Sequence, residues 1–530
     1  MSGEQRCDVL IAGGGLAGLS LSLQLRRTYP DLAITLLEQQ RHPVPVAAHK
    51  VGESTVEIGG HYLADKVGLA EHLEKEQLPK FGLRFFFGGE HKPADLSGYD
   101  ELGPSDFLPV RTWQLDRGIL ENHMLDKAHA SGIDVRDGAT VRSISLTRGG
   151  QGHVVKARAD DQDLTFSSRW LVDSTGRQAK LKKHLDLAKS VDHGICAVWL
   201  RTANKVDIDT LGSGADWATR CGDNARWFST NHVMGTGYWF WVIPLASGAT
   251  SIGLVFDPEI HPVKSVNKID RLMDWLRRHE PVMAAALEPE QDEILDFHVL
   301  RNFAHDSRQV YSADNWALTG EAGMFLDPFY SPGSDLIAIS NSLVTHLIGE
   351  EQPRRKAVYF QQLYASIVDS TLSLYQHQYP GFGDRDLMTL KTVWDFSYYW
   401  SVLAYLFYKD TLTDMAFLET ARPHIDAARA LNCSIQEKFR TFGALRRQLP
   451  AEGRFIDQHS IGLLSDLKRQ LVDNRNGHIH AQLEANVRML GKLSALLESE
   501  LTICADGGSA SIASIRDFDE PARQLLVIAS

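Results

Sequence analysis

The chain has 530 residues, 43% of them hydrophobic and 23% charged, with a formal net charge of -12. That length exceeds one ordinary core and predicts two or three domains of ~100–200 residues each. The acidic balance excludes a broad nucleic-acid footprint, which needs a basic patch or stripe.

The short run Lys180, Lys182, Lys183 reads as solvated surface. Five cysteines (Cys7, Cys196, Cys221, Cys433, Cys504) are odd in number and far apart. They form neither a zinc spacing nor a disulfide framework, which fits a reducing cytoplasm. No apolar signal core opens the chain, and no apolar stretch reaches the ~20 residues of a spanning helix. Twenty-one histidines are scattered without a His-Glu-x-x-His pair, so no metal site is expected.

In chain order, Asp8-Val9-Leu10-Ile11 predicts a buried strand, Leu19 to Leu25 a helix, and Ile34-Thr35-Leu36-Leu37 a second strand ending at Glu38. This is one βαβ unit of ~30 residues. Its turn, Gly13-Gly14-Gly15-Leu16-Ala17-Gly18, carries a dinucleotide fingerprint. Gly13 permits the tight turn, Gly15 lets the backbone approach a pyrophosphate, and Gly18 allows close helix–strand packing, while the helix start faces the phosphates. Glu38 stands some twenty residues on, where a ribose hydroxyl acceptor belongs.

A helix is expected from Leu115 to Ala130, paired strands at Val141 to Leu146 and His153 to Ala157, and a short strand at Arg169 to Asp173. Residues about 185–300 alternate strands with loops and predict a sheet-based domain. Within it, Trp239-Phe240-Trp241-Val242-Ile243-Pro244 puts two tryptophans on one strand face. The strand pattern of the first domain returns at Trp316 to Glu321, and a helical pattern follows from about 345, clearest at His480 to Ser499. The aromatic run Val393 to Trp400 reads as packing between helices; a cover over a substrate cavity, with Asp395 accepting a phenolic proton, is the sharper alternative.

Three features follow the fingerprint in an order that favours FAD over NAD: Asp116-Arg117 opening a helix, Asp173-Ser174-Thr175-Gly176-Arg177 closing a strand, and Gly320-Glu321-Ala322 after a later strand. That order resembles the FAD-binding fold of aromatic hydroxylases and halogenases. With Val51-Gly52-Glu53-Ser54, Pro79-Lys80-Phe81-Gly82, the tryptophan motif and Phe325-Leu326-Asp327-Pro328-Phe329-Tyr330-Ser331-Pro332-Gly333, the chain resembles flavin-dependent halogenases of the tryptophan-halogenase-like family over residues 5–345.

The resemblance implies an α/β fold: a Rossmann-like FAD-binding domain, an inserted β-sheet substrate domain and a C-terminal helical region. The segments are 1–184 (with a substrate-side piece near 75–110), 185–300, 301–345 and 346–530. It implies FAD, used reduced, with dioxygen and chloride or bromide. Gly13, Gly15, Leu16, Ala17, Gly18, Glu38, Ser54, Arg117, Asp173, Gly176, Gly320, Glu321 and Pro328 would hold the cofactor. Glu321 stands where the family usually has aspartate.

Hypohalous acid made at the flavin would reach Lys80, with Trp239, Trp241 and Pro244 lining its passage and the two indoles keeping the substrate from the flavin. A lysine buried among aromatics should have a lowered pKa; it would act as a haloamine or as an ammonium that polarises the acid. Halide would be held after Ser331, at the positions of Pro332 and Gly333. Proline has no N–H, so Ser331 hydroxyl and Gly333 N–H remain. Tyr330 replaces the glutamate of indole halogenases, which implies a phenolic or pyrrolic substrate, free or tethered to a carrier protein. With no second fingerprint, a separate flavin reductase is expected as partner. The alternative is a monooxygenase or oxidoreductase of the same fold without halide; a non-catalytic flavin-binding protein is a third reading.

Overall fold

A computed structural model describes residues 4–46, 51–150, 152–223, 225–445, 448–473, 478–505 and 514–515. The fold is mixed α/β and divides into two compact units. The first comprises residues 1–77, 115–192 and 304–369, and the second 78–114, 193–303 and 370–530.

The first unit is built on a seven-stranded sheet. Gln5–Ala12 lies in parallel between Ile34–Leu37 and Gln162–Asp173, with Asp134–Arg136 beyond the former and Trp316–Leu318 beside the latter. Val9, Leu10 and Ile11 are wholly buried, which is why this strand reads as an unbroken apolar run: a central parallel strand is covered on both faces. The strand expected at Arg169 to Asp173 begins much earlier, at Gln162. Its first half pairs antiparallel with His153–Ala159, and that strand pairs with Thr140–Ser145. Helices Leu16–Thr28, Arg117–Ala130 and Gly333–Ile348 belong to this unit. The first ends on Arg26 and Arg27, cations suited to the negative end of a helix.

The second unit carries an eight-stranded sheet, which includes Leu83–Phe87, Cys196–Thr202, Thr230–Gly235, Tyr238–Pro244 and Thr250–Phe256. Its alternation is strict. Cys196, Val198, Leu200, Phe240, Val242, Ile252, Leu254 and Phe256 join one apolar core with Leu272, Met273, Trp275 and Leu276. Those last four lie on helix Ile269–His279, which with Pro281–Leu287 interrupts the expected run of strands and loops. Their three- and four-residue spacing carries the helical signal.

The C-terminal part is helical at Arg385–Tyr398, Ala404–Tyr408, Met415–Leu445, Gly462–Val472 and Ile479–Ala505. It also returns one short strand, Phe455–Asp457, to the sheet beside Asp100–Gly103. Among the described residues no helix is long and apolar enough to cross a membrane.

Glu101 anchors that edge. It is fully buried and meets three guanidinium groups: Arg84, Arg226 at 2.9 Å and Arg220 at 3.2 Å. Burial pushes its carboxyl up, but Arg84, Arg226 and Arg220 outweigh that and hold it below the usual range. Arg84, the basic residue nearest Lys80 in sequence, is thereby assigned to structure. Neutralising one member of a buried ion cluster strands the others. Glu101→Gln is therefore expected to cost ~3–5 kcal/mol of stability, read as a lowered urea midpoint; a wild-type midpoint would refute the assignment.

Candidate functional site

The first unit assembles the fingerprint. Gly13 has φ 108°, and a side chain there would strike the Ser174 carbonyl. A side chain at Gly18 would strike the carbonyl of Gly13. At Gly15, by contrast, an added Cβ meets no atom within 4 Å. Gly15 starts helix Leu16–Thr28 without any side-chain cap. That helix start therefore has room beside Gly15 and no side-chain cap, and the first-turn N–H groups of a helix favour an anion. Leu16 and Ala17 form the buried first turn.

Glu38 ends the second strand with both carboxylate oxygens oriented: Oε2 accepts the Gly14 N–H at 2.5 Å and Oε1 the Gln40 N–H at 2.7 Å. A carboxylate has acceptor capacity beyond these two bonds. The residues present therefore fit a dinucleotide such as FAD: room at the helix start and a fixed acid at the strand end.

The other expected cofactor residues frame this turn. Asp173 works on its own backbone: it accepts the Thr175 N–H at 2.9 Å, the Thr175 hydroxyl at 2.6 Å and the Leu181 N–H at 2.6 Å. Burial raises its pKa against those bonds. Gly176 and Gly320 both adopt positive φ, 58° and 60°, and a side chain at Gly320 would press on Ala17. The longer arm of Glu321 reaches Arg177 at 3.4 Å, linking these two turns. Arg117 donates to Glu121 and, at 2.7 Å, to the Val51 carbonyl, so it shapes the loop that carries the buried Ser54.

The expected halide segment is strained. Tyr330 and Ser331 have φ 67° and 59°, in succession and without glycine; such residues cost ~1–3 kcal/mol each. The Ser331 N–H donates to the Pro328 carbonyl at 2.8 Å. Pro332 caps helix Gly333–Ile348, and nothing stands within 4 Å of a Cβ built at Gly333. The missing proline donor thus coincides with a helix start, whose dipole favours an anion. Ser331 hydroxyl and Gly333 N–H are at that start.

Lys80, Trp239, Trp241 and Pro244 all fall in the second unit. The sheet face opposite the apolar core bears a row of rings. Strand register aligns Phe85, His232, Trp241, Gly253, Trp199 and His298 across six strands. Phe85 stacks on His232 at 4.9 Å, and His232 meets Trp239 at 5.4 Å. Trp239 and Trp241 lie 5.6 Å apart at 42°.

Each indole N–H has an acceptor: Ser251 Oγ for Trp241 at 3.2 Å, Tyr379 Oη for Trp239 at 3.0 Å. The Trp241 ring occupies the space where Gly253 lacks a side chain. Lys80 is buried, and its backbone N–H donates to the Thr112 carbonyl at 2.8 Å.

Residues 6–244 match the family model of the FAD binding domain. The chain is 27% identical over 434 residues to the flavin-dependent halogenase chlA of Dictyostelium discoideum, covering 75% of this chain and 70% of that one. It is 23% identical over 343 residues to the 1H-pyrrole-2-carbonyl-[peptidyl-carrier protein] chlorinase of Pseudomonas fluorescens, covering 62% and 72%. Among solved structures, the halogenase PltM in complex with phloroglucinol and FAD shares the fold, with a TM-score of 0.64 and 16% identity over 99% of this chain and 96% of that one.

The chain is an FAD-dependent enzyme related to the flavin-dependent halogenases.

In this flavoenzyme, Asp395 does not await a proton from a substrate. It is buried in an ion pair with Lys391 at 2.9 Å and accepts from Gln436 at 2.6 Å, so the run around it packs between helices. His232, Ser251, Gly253 and Tyr379 escaped the sequence reading. A glycine inside a strand pattern signals close approach of another group, so Gly253 carried a signal; Tyr379 lies 140 residues from Trp239 and carried none.

Two outcomes follow. Gly18→Ala should abolish FAD retention, checked by flavin absorbance after desalting; normal retention would contradict the packing at that turn. Burial pushes His232 down to about 3, with Lys80 adding to it and the Arg84 carbonyl opposing. The native ring is thus neutral where the unfolded one takes a proton, so its contribution is complete above the unfolded pKa of 6.5 and is lost as pH falls towards 3. In His232→Phe the slope of stability against pH over this range should flatten by up to ~1.4 kcal/mol per pH unit. Urea titrations at several pH values measure it, and an unchanged slope would refute the buried neutral ring.

Proposed function

We propose that this enzyme halogenates electron-rich aromatic rings, phenolic or pyrrolic, free or carrier-tethered. The observation that carries the proposal is Lys80 buried in the same unit as the Trp239–Trp241 pair, on a chain whose other unit holds the FAD fingerprint. Bound reduced FAD would supply two electrons to dioxygen, so that halide and a proton leave as hypohalous acid and water. Gly13, Gly15, Gly18 and Glu38 would hold the cofactor, with Ser54, Arg117, Gly176, Gly320, Glu321 and Pro328 around it.

Ser331 hydroxyl and Gly333 N–H would take the halide at the helix start. Lys80 would bind the oxidant near the ring to be substituted, either as an amine that exchanges a proton for halogen and releases water, or as an ammonium that hydrogen-bonds the acid. The bulk of Trp239 and Trp241 favours a small diffusing oxidant over direct transfer to the substrate.

Substrate class is supported by the relatives. Among them are a chlorinase and a brominase of carrier-bound pyrrole-2-carbonyl groups, and a fold neighbour holds phloroglucinol. Tyr330, in place of the glutamate of indole halogenases, points the same way. A separate flavin reductase delivers the reduced cofactor in this reading, and five cysteines with no disulfide among the described residues suit a reducing cytoplasm.

The same-fold monooxygenase is the second reading, favoured by Pro332, which withholds one donor from the halide. Reduced FAD, bromide and a panel of phenols and pyrroles decide between them. Bromide-dependent mass shifts are expected, and Lys80→Ala should retain FAD yet lose brominated product by at least ~100-fold, the scale of a lost general acid or nucleophile. Oxygen insertion indifferent to bromide would replace the proposal with the second reading. Undiminished bromination by Lys80→Ala would remove the lysine from the chemistry.

A further inference from the structure

The two tryptophans are fixed by different parts of the chain. Trp241 is held by its neighbouring strand, Thr250–Phe256, through Ser251 and the gap at Gly253. Trp239 is held from outside the sheet. Its indole N–H donates to Tyr379 Oη at 3.0 Å, and both side chains are 2% exposed.

Tyr379 opens a single helical turn, Tyr379–Gly381, in the same unit. It is itself firmly set. Its ring stacks on Phe382 at 4.6 Å and meets His193 edge-on at 5.9 Å. Its carbonyl accepts the Gly237 N–H at 2.9 Å, and Gly237 lies in the hairpin turn just before Trp239. On the same turn, Gln448 Nε2 donates to Thr236 Oγ1 at 2.7 Å. A side chain at Gly383 would strike both Gln448 and the Thr236 nitrogen. The C-terminal segment thus grips the tryptophan hairpin at its turn and at one indole.

Removing the acceptor of a buried donor is costly, which makes another rotamer of the donor's side chain competitive. Trp239 has a neighbour that makes its angle matter: His232 meets the ring at 5.4 Å and 47°. We infer that Tyr379 is a positioning residue, which fixes the ring plane of Trp239 and so makes the C-terminal region a determinant of how much oxidant is used productively. The inference rests on the reading of Trp239 as a wall between flavin chemistry and substrate.

The test compares Tyr379→Phe, Trp239→Phe and the double variant, each as FAD-loaded enzyme supplied with reduced FAD, bromide and a phenol that the wild-type enzyme brominates. Product formed per reduced FAD oxidised is measured. Tyr379→Phe keeps the ring stack and removes only the acceptor; it should lower this ratio several-fold, with the balance of the oxidant escaping as hypobromous acid caught by a soluble scavenger. The double variant should be no worse than Trp239→Phe alone, because that variant already lacks the indole N–H. A wild-type ratio in Tyr379→Phe, or a full additional loss in the double variant, would overturn the inference.

A second readout does not depend on halogenation. In enzyme labelled with 5-fluorotryptophan, the fluorine resonance absent from Trp239→Phe identifies Trp239 among the eleven tryptophans. That resonance should shift or split in Tyr379→Phe; an unmoved resonance would overturn the lock. If wild-type enzyme yields no bromide-dependent product, the proposed function fails while this spectrum still decides the role of Tyr379.

Discussion

Everything in the second unit depends on the two-residue alternation of one strand, Tyr238–Pro244. Phe240 and Val242 are committed to the apolar core, where they meet Leu254, Ile252 and the helix bearing Trp275. Trp239 and Trp241 are thereby committed to the other face. A slip of one residue would exchange the two sets at once, carrying the indoles into the apolar core and Phe240 onto the face that bears the row of rings. Hydrophobic burial on one face is what pays for the placement of the rings on the other.

The first unit rests on a different constraint, close backbone approach. Gly18 lies against the Gly13 carbonyl and Gly13 against Ser174. Those contacts draw the first strand, the first helix and the turn after Asp173 together. The carboxylate of Asp173 spends its bonds on Thr175 and Leu181, and Glu38 spends two of its own on Gly14 and Gln40. Acids that look like ligand contacts in the sequence first serve to hold backbone, and the backbone then presents its N–H groups. On the proposed reading, the cofactor would be gripped largely by main chain at that helix start.

Local signals were legible in the sequence and long-range ones were not. The βαβ unit, the return of the sheet at Trp316 and the helical C-terminal part follow from periodicity and glycine placement within short windows. Helix Ile269–His279 was overlooked although Leu272, Met273, Trp275 and Leu276 spell its buried stripe, because the surrounding strand pattern dominated the window. Arg84 sits in the same aromatic stretch as Lys80, and nothing within that window shows what it pairs with. Only the fold brings Glu101, Arg220 and Arg226 onto Arg84. Asp395 is the converse case: an acid among aromatics suggests chemistry until Lys391, one turn away, is seen to neutralise it.

Pro332 takes on a different meaning once the backbone around it is known. In sequence it is a lost donor. In the fold it stands at the cap of helix Gly333–Ile348, a position where its N–H is not needed and its fixed φ suits the turn into the helix. The residues before it bear the strain: Tyr330 and Ser331 occupy left-handed backbone one after the other. Strain of that kind persists only where the surroundings over-determine it. Here the Ser331 N–H is tied to the Pro328 carbonyl, Asp327 accepts the Phe329 N–H at 2.9 Å, and Gly59 donates to Asp335 at 2.7 Å in the first turn of the helix. A segment held this firmly presents the same helix start whether or not an anion is there. On the proposed reading, removing one amide from the donors at this helix start would weaken a halide's hold by about one hydrogen bond to a charged group, ~1.5–3 kcal/mol. That would change halide affinity by between tenfold and about a hundredfold while leaving the direction of the helix dipole intact.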